Sequence, residues 1–290
     1  MKSQSLSVVV PNKMCVNNCA FCVAQMETEN YPNMLNSNKP FYDLYQTDYI
    51  KRLEFARDIG CNIVMLTGNS EPQQNRRFLE IFGTMNKQLK SPFRWIEMQT
   101  TGVMIEDEYL RFLRNHVGIS TISVSISSFD DEINMKYNGT RKNLKVNIKE
   151  FCKSVKKYDF NLRISINLTD DFNKYTPKEI FEYVKELGAD QVTFRIFYTS
   201  KTNTPQDKWV GEHKASDYLV SEISIYVINN GKALEILDFG ATKYSVNGIS
   251  TVVDNNCMGS EEVTDVMKFM ILRENCKLYS KWEDKGSLIF

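Results

Sequence analysis

Short apolar runs alternate with stretches of helical spacing along the first two thirds of the chain. Six apolar runs predict buried strands, at Leu6–Val10, Asn62–Thr67, Arg94–Gln99, Thr121–Ser127, Asn161–Leu168 and Gln191–Phe197. Apolar residues at helical spacing predict helices between them, at Tyr49–Ile59, Arg76–Leu89, Asp107–Asn115, Asn143–Tyr158 and Pro177–Leu187. This alternation predicts an α/β fold of parallel βαβ units. Six units are fewer than the eight of a closed barrel, so we expect a partial (β/α)6 TIM barrel with its active site at the strands' C-terminal ends.

The rhythm changes after Ser200. Lys201–His213 is polar and predicts a loop, whereas Ser216–Asn229 predicts a helix. Short strand-like runs follow at Leu234–Phe239, Ser250–Val253, Met267–Leu272 and Lys277–Ser280. We therefore expect residues 1–200 to form the barrel. Residues 201–290 should form a C-terminal α+β extension that covers the open side and lines the substrate pocket.

Composition narrows the class of protein. The chain is 42% hydrophobic and balances 36 basic against 36 acidic residues, so no basic excess favours a nucleic-acid partner. A local basic patch would escape this count, which leaves RNA modification open. No apolar run approaches the ~18 residues of a membrane span, and the first residues lack the apolar core of a secretory signal. Seven cysteines, an odd number, favour metal binding over disulfides. We expect a cytoplasmic protein without a membrane partner.

The candidate chemistry begins with three cysteines directly after the first strand. Cys15, Cys19 and Cys22 form a C-x3-C-x2-C array within one short loop. Zinc sites and four-iron clusters usually take four protein ligands, and no fourth cysteine lies nearby. The array therefore favours a cluster that keeps one iron open to another ligand. Buried structural thiols, or a zinc-bound interaction module without enzymatic activity, are the alternatives.

The cysteine spacing, with Phe21 before the third cysteine, resembles the radical S-adenosylmethionine (SAM) superfamily. The resemblance implies that Cys15, Cys19 and Cys22 hold a [4Fe–4S] cluster whose fourth iron is chelated by SAM, and that Phe21 packs beside the adenine. It implies that a reduced cluster cleaves SAM to a 5′-deoxyadenosyl radical, which abstracts hydrogen from the substrate. An electron donor such as flavodoxin or ferredoxin, and sensitivity to oxygen, follow from that chemistry.

Motifs at the next two strand ends resemble SAM-binding segments of the same superfamily. Residues 68–72 read Gly-Asn-Ser-Glu-Pro, a partial match to the family's Gly-Gly-Glu-Pro, whose backbone binds the amino group of SAM. The SAM contacts expected here are Gly68, Asn69, Ser70 and Glu71. Thr100, at the end of the third strand, is a further candidate. An ordinary strand-to-helix turn is the alternative for the first of these motifs.

The later strands resemble, more narrowly, the molybdenum-cofactor GTP cyclase group. Ser125 and Asn167 stand where that group contacts SAM, and Ser127 replaces an aspartate common there. Arg195 lies near the C-terminal end of the sixth strand, inside the barrel, where a buried guanidinium needs an anion. The carboxylate of SAM, a substrate carboxylate or phosphate, or a salt bridge with Glu97 would each satisfy it.

The tail departs from the cyclase group. Only Cys257 and Cys276 lie there, separated by 18 residues, so we expect no second cluster, and GTP cyclisation is not favoured. His213 could reach the substrate, and Cys257 or Tyr279 could donate hydrogen to a product radical, although no catalytic side chain is identifiable. The segment Lys277–Asp284 could close over a flat or anionic substrate, or could be a simple edge strand.

The substrate expected from these features is a small polar metabolite or a nucleotide-like molecule. The chain has a single predicted barrel, no basic excess and no recognisable peptide-binding domain. Activation of a glycyl-radical enzyme, or modification of a peptide or RNA, remains the alternative.

Overall fold

The computed structural model describes residues 2–26, 42–200, 202–237, 241–254, 266–282 and 285–290. The strands in these ranges are β1 (Lys2–Val9), β2 (Ile63–Thr67), β3 (Trp95–Thr100), β4 (Thr121–Ile126), β5 (Asn161–Asn167), β6 (Gln191–Arg195), β7 (Gly231–Ile236), β8 (Thr242–Val246), β9 (Ile249–Asp254), β10 (Val266–Leu272) and β11 (Leu278–Tyr279). The α-helices there are α1 (Gln46–Asp58), α2 (Arg76–Gln88), α3 (Asp107–Phe112), α4 (Asp131–Tyr137), α5 (Ile148–Lys157), α6 (Pro177–Glu186), α7 (Pro205–His213) and α8 (Asp217–Asn230). None of the described helices is long and apolar enough to cross a membrane.

All the described strands belong to one sheet, in the order β11-β10-β1-β2-β3-β4-β5-β6-β9-β8-β7. The six predicted strands lie side by side in sequence order and are parallel, which confirms an α/β fold with a parallel sheet. Two tail strands extend this parallel set, because β10 pairs with β1 and β9 pairs with β6 in the same sense. The tail thus continues the barrel's own sheet at both edges. The division at residue 200, and a tail that covers the open side, stay predictions.

The two edges of the parallel set approach each other. Lys268 on β10 and Asp254 on β9 lie at opposite ends of the eight-strand series, yet the Lys268 Nζ is 3.7 Å from the Asp254 Oδ1. This ion pair is largely shielded from solvent. The sheet therefore curls until its first and last parallel strands are joined by side chains instead of a backbone ladder.

Alternation along the strands separates an apolar outer face from a polar inner one. Residues two apart share a face, and the outward residues form the core with the helices, among them Leu6, Val8, Val64, Leu66, Ile122, Val124, Ile164 and Ile166. The inner face carries polar side chains instead, including Ser5, Ser7, Glu97, Gln99 and Arg163. Because these chains do not fill the interior as the apolar layers of a closed TIM barrel do, a cavity of about 440 Å³ lies among them.

One predicted loop is a helix. The polar stretch Lys201–His213 contains α7, and its first residue lies outside the described ranges. Thr204 caps α7: its side chain accepts from the Asp207 N–H while the Asp207 carboxylate accepts from the Thr204 N–H, and Pro205 follows as the first helical residue. Although burial acts in the opposite direction, hydrogen bonds from Ser200 and Thr204 lower the pKa of Asp207 to about 2. The prediction of a loop was wrong because this short helix carries few apolar residues.

Other boundaries also differ from the prediction. The predicted helix Asn143–Tyr158 begins only at Ile148, where the Asn147 side chain caps α5. Helix α4 was not predicted, since its start depends on Asp130, whose carboxylate accepts from two backbone N–H groups of the first turn. Strand β8 was also missed, and the predicted strand Leu234–Phe239 starts earlier, as β7, and has its end outside the described residues.

Candidate cofactor site

The cysteine loop follows β1 and carries three free, half-buried thiols. A tight turn closes part of it, with the Cys22 N–H donating to the Cys19 carbonyl oxygen at 3.1 Å. Burial raises the pKa of all three thiols, most of all that of Cys19, where electrostatic repulsion from Cys22 and Cys15 adds to the effect. The three thiols therefore lie in one loop, where Cys19 is influenced electrostatically by the other two.

The donor set fits an iron–sulfur cluster. Three free cysteine thiols lie in one loop, and thiolates are the protein ligands that hold such clusters. In the described ranges no three His, Cys, Asp or Glu side chains come together tightly enough for a single metal ion. A cluster binds each thiolate through a different iron, so it suits three free cysteines spaced along one loop.

A buried carboxylate anchors this loop to the sheet. Glu71 is only 6% exposed, and its Oε1 accepts from the Asn17 amide at 3.1 Å and from the Thr101 hydroxyl at 2.7 Å. Its Oε2 accepts from the Thr100 hydroxyl at 2.6 Å and from the Gln73 amide at 2.8 Å. Glu71 and Thr100, two of the predicted SAM contacts, thus meet in a network that fixes Asn17, between the first two cysteines.

The turn after α4 holds the other side of the cysteine loop. The Asn18 N–H donates to the Asn138 carbonyl at 3.2 Å, and the Ala20 N–H donates to the Tyr137 carbonyl at 3.0 Å. Gly139 follows with φ of +57°, and a Cβ on it would lie 2.2 Å from the Asn18 carbonyl oxygen. Sequence reasoning missed this support, although the Asn138-Gly139 pair is a turn signal.

The segment after β2 borders both the cysteine loop and the cavity. Gly68 has φ of +143°, and a Cβ there would meet the Val9 side chain at 3.0 Å, so a larger residue would crowd β1. Gly68 and Asn69 line the cavity, while the Ser70 hydroxyl accepts from the Asn12 amide at 2.8 Å. The strand end is therefore held against the first residues of the cysteine loop.

The candidates on the later strands occupy neighbouring positions. Ser125 lies opposite Ser165 in the β4–β5 register, and the Ser165 hydroxyl accepts from the Arg195 Nε at 2.6 Å. Asn167, largely buried, donates to the Ser127 hydroxyl at 3.2 Å. Arg195 lines the cavity. The structure thus brings Ser125, Asn167 and Arg195 to adjacent strands.

Glu97, the alternative partner considered for Arg195, pairs with Arg163 at 2.5 Å. In the strand register Arg195 instead stands opposite Asp254 on β9.

Phe21 belongs to an aromatic cluster beside the cysteine loop. Its ring centroid is 5.0 Å from that of Phe197 and 5.6 Å from that of Trp209. His213 packs on Trp209 at 4.6 Å, and its Nδ1 is 3.1 Å from the Asp170 carboxylate. The aromatic cluster packs around Phe21, and His213 joins it through Trp209.

The suggested radical-quenching residues lie in different settings. The Tyr279 hydroxyl is bound by the Asn275 amide at 2.8 Å, and Tyr279 is almost fully buried. Cys276, the tail cysteine that was not suggested for this role, is buried, and burial raises its pKa to about 12. Cys257 lies outside the described residues. A hydrogen-donor role for Tyr279 or Cys257 stays a prediction.

The cavity opens between the cysteine loop and the tail. Val23 and Ala24, next to Cys22, line it together with Gly68 and Asn69. Arg273 and Trp282, which follow β10, line another part of its wall. Neither of these two residues was a candidate contact individually, because no local motif marks them and only the sheet order brings them to the barrel interior.

Structural comparisons agree with this architecture. Native anSMEcpe with bound AdoMet matches with a TM-score of 0.60 and 15% identity over 98% of this chain and 76% of that one. Coproporphyrinogen III oxidase (HemN) from Escherichia coli, a radical SAM enzyme, matches with a TM-score of 0.54 and 15% identity over 80% of this chain. The match spans 54% of that enzyme's length. Methylornithine synthase (PylB) matches with a TM-score of 0.51 and 17% identity over 79% of this chain and 62% of that one. At these identities the likeness concerns the fold.

Sequence comparison supplies the family. No curated protein matches the chain significantly. Residues 9–170, more than half of the chain, match the Radical SAM superfamily. Its members are enzymes that use a [4Fe–4S] cluster and SAM, which confirms the predicted enzyme class and cofactors. The alternative of a zinc-bound module without enzymatic activity is therefore wrong. The chain, with its cysteine loop at the head of a parallel barrel sheet, therefore belongs to the Radical SAM superfamily.

Proposed function

We propose that this enzyme generates a 5′-deoxyadenosyl radical at the cysteine loop and uses it to abstract hydrogen from a small polar substrate held inside the barrel. One observation carries the proposal: the cavity is bordered by Val23 and Ala24 of the cysteine loop and by Gly68 and Asn69 at the end of β2. A substrate in this cavity would lie beside the site of radical formation. The surrounding barrel would exclude water, which protects a reactive intermediate.

In this proposal Cys15, Cys19 and Cys22 hold the cluster and leave one iron for SAM. When bound, the reduced cluster supplies one electron to the SAM sulfonium, which releases methionine and the 5′-deoxyadenosyl radical. The chain's own residues bind and orient the reactants. Glu71 holds the cysteine loop through Asn17, as its short hydrogen bonds support.

The remaining candidates are assigned to SAM. The backbone of Gly68, Asn69 and Ser70 binds its amino group, and Phe21 packs beside its adenine. Thr100, Ser125, Asn167 and Arg195 complete the polar surroundings. Support comes from their placement, since Ser125, Asn167 and Arg195 lie on adjacent strands and Phe21 is held by Phe197 and Trp209.

The size of the cavity favours a small substrate. Its volume of about 440 Å³ falls within the ~300–1,000 Å³ that small-molecule sites typically have, and SAM would take up part of it because Gly68, Asn69 and Arg195 also line it. This supports a small polar metabolite or nucleotide. Glycyl-radical activation and peptide or RNA modification stay as alternatives, to be tested by whether a macromolecule co-purifies with the enzyme.

The finer likeness to the molybdenum-cofactor GTP cyclase group rests on strand-end motifs and stays a prediction. The tail carries two cysteines, where that group has three for a second cluster. Radical SAM enzymes need a reductant, and we propose flavodoxin or ferredoxin in the cytoplasm as the electron donor.

The test is anaerobic SAM cleavage. The purified protein is reconstituted with iron and sulfide, reduced with dithionite and given SAM, and 5′-deoxyadenosine is measured by mass spectrometry. We expect one four-iron cluster per chain and product only with reductant. Cys19→Ala should lose both iron and product, whereas Cys152→Ala, which removes a buried thiol on α5, should retain both. A Cys19→Ala protein with full iron and product would contradict the assignment.

A further inference from the structure

The wall of the cavity formed by the tail contains a buried guanidinium. Arg273 directly follows β10 and is 1% exposed. A tight turn fixes its backbone, with the Arg273 N–H donating to the Lys277 carbonyl at 3.0 Å and the Cys276 N–H donating to the Arg273 carbonyl at 2.9 Å. The Arg273 Nη1 donates to the Trp282 carbonyl at 3.0 Å. Arg273 therefore borders the cavity in a defined position.

An aromatic surface lies beside this guanidinium. The Arg273 Cζ is 5.8 Å from the centroid of the Trp282 ring, and the Phe269 ring is 6.4 Å from Trp282. All three residues line the cavity. Aromatic faces favour stacked or edge-to-face contacts with other planar groups. The tail thus presents two aromatic rings, tilted by 54° relative to each other, next to a positive charge.

The charged residues that line the cavity are mostly cationic. In the described part of its wall there are five cations and two acids, namely Arg163, Arg195, Lys243, Lys268 and Arg273 against Glu97 and Asp254. Glu97 pairs with Arg163 at 2.5 Å and Asp254 with Lys268 at 3.7 Å, while Lys243 pairs at 2.8 Å with Glu235, which does not line the cavity. The whole chain has no net charge, so this excess is local. A cationic pocket with low-dielectric walls concentrates anions.

We propose that Lys243, Arg273 and Trp282, the tail wall, select a substrate that joins a planar ring to a carboxylate or phosphate. The cations bind the anionic group, and Arg273 offers the planar donor geometry that matches carboxylate and phosphate oxygens. Trp282 packs against the ring. This inference rests on the proposed function, because it takes the barrel cavity as the substrate site.

The first test is calorimetric binding to the reconstituted, SAM-saturated, unreduced enzyme. Uridine 5′-monophosphate and 4-hydroxybenzoate represent a phosphate and a carboxylate on a planar ring. Uridine has the ring without the charge, and ribose 5-phosphate has the charge without the ring. We expect at least one planar anion to bind tenfold or more tightly than both controls. If neither planar anion exceeds the controls, the proposal is overturned.

The second test uses variants of the cations. Arg273→Gln should weaken binding of the preferred probe by roughly 10- to 100-fold, since a hydrogen bond to a charged group is lost. If removal of this buried residue prevents folding, Lys243→Gln decides, because Lys243 is partly exposed and lines the same cavity. Lys232→Gln, at an exposed position on β7, is the matched control and should bind as the wild type does. Unchanged affinity in Lys243→Gln and in any folded Arg273→Gln protein would overturn the proposal.

Tryptophan fluorescence tests the stacking contact. The chain has three tryptophans, and Trp95, at the start of β3, is 58% exposed. The planar anion should change the emission of the wild type and of Trp95→Phe, and Trp282→Phe should lose this change. An equal response in Trp282→Phe would remove the stacking contact from the proposal.

The two proposals fail separately. Formation of 5′-deoxyadenosine without a preference for planar anions would overturn only the proposal that the tail wall selects the substrate. A clear preference without 5′-deoxyadenosine would overturn the proposed radical chemistry alone.

Discussion

Replacing Glu71 by glutamine should show how strongly one buried carboxylate holds the cysteine loop. The two carboxylate oxygens accept four side-chain hydrogen bonds, Oε1 from Asn17 and Thr101 and Oε2 from Thr100 and Gln73. Glu71→Gln keeps the shape but turns one acceptor into a donor. The threonine hydroxyls can rotate, but each oxygen also faces an amide NH₂ group.

The loss of stability depends on the other hydrogen bonds that these two amides make. The Asn17 Oδ1 accepts from the Thr140 hydroxyl at 3.0 Å, and the Gln73 Nε2 also donates to the Val103 carbonyl at 2.8 Å, so neither amide can flip without losing another bond. One buried donor is therefore left without its acceptor, and the other bonds lose their charged partner. An unsatisfied buried donor costs ~1–3 kcal/mol, so we expect the free energy of unfolding to fall by about 2–4 kcal/mol.

The assay is urea unfolding of the iron-free protein, followed by iron analysis after reconstitution. Glu71→Gln should be less stable and should retain less iron, because Asn17 lies between Cys15 and Cys19. Glu108→Gln, an exposed substitution on α3, is the matched control and should change stability by less than ~0.5 kcal/mol. Wild-type stability together with wild-type iron content in Glu71→Gln would show that Glu71 does not hold the cysteine loop.

Three further substitutions test other parts of the structure. Gly139→Ala should lower iron retention, because its Cβ would lie 2.2 Å from the Asn18 carbonyl oxygen in the cysteine loop. Gly248→Ala is the control, since Gly248 also has positive φ but its Cβ would meet open space. Equal iron content in the two variants would contradict this prediction. Arg163→Ala should lower the free energy of urea unfolding by about 3–5 kcal/mol, because Glu97 stays buried without its ion pair. Adding Glu97→Gln should recover most of the lost stability. If the double variant is no more stable than Arg163→Ala, the unpaired charge is not the cause. The folded pKa of Asp207 is about 2, below the ~3.9 of free aspartate, so its ionised form stabilises the fold at neutral pH and this contribution is lost as the pH falls. Asp207→Asn should therefore lower Tm at pH 7 but not near pH 2, and an equal difference at both would contradict the assignment.

The sequence was sufficient where the signal is local. Cys15, Cys19 and Cys22 lie within eight residues, so their meeting in one loop needs no long-range information. The six barrel strands were also predictable, because apolar outward positions recur along each of them. What the pattern did not reveal is that the inward positions, such as Ser5 and Gln99, are polar and leave a cavity.

The remaining features depend on distant partners. The pairing of β9 and β10 with the two barrel edges joins segments far apart in sequence, and no local pattern encodes it. Arg273 and Trp282 reach the cavity only through that pairing. Helices α4 and α7 are short and depend on caps at Asp130 and Thr204 more than on an apolar stripe. Glu71 was predicted to contact SAM, but its network with Asn17 could not be foreseen without the backbone path of the loop.

The pairing of β1 with β10 also bears on the order of folding. The Ser5 hydroxyl donates to the Lys268 carbonyl across a separation of 263 residues, so the strand that leads into the cysteine loop lacks one neighbour until the far segment has been synthesised. Contacts of such long range form slowly, and an unpaired strand edge is prone to aggregation in the meantime. We expect ribosome-bound chains that end before β10 to expose β1. Substitutions that disrupt the pairing of β10 with β1 should accordingly lower the yield of iron-loaded enzyme.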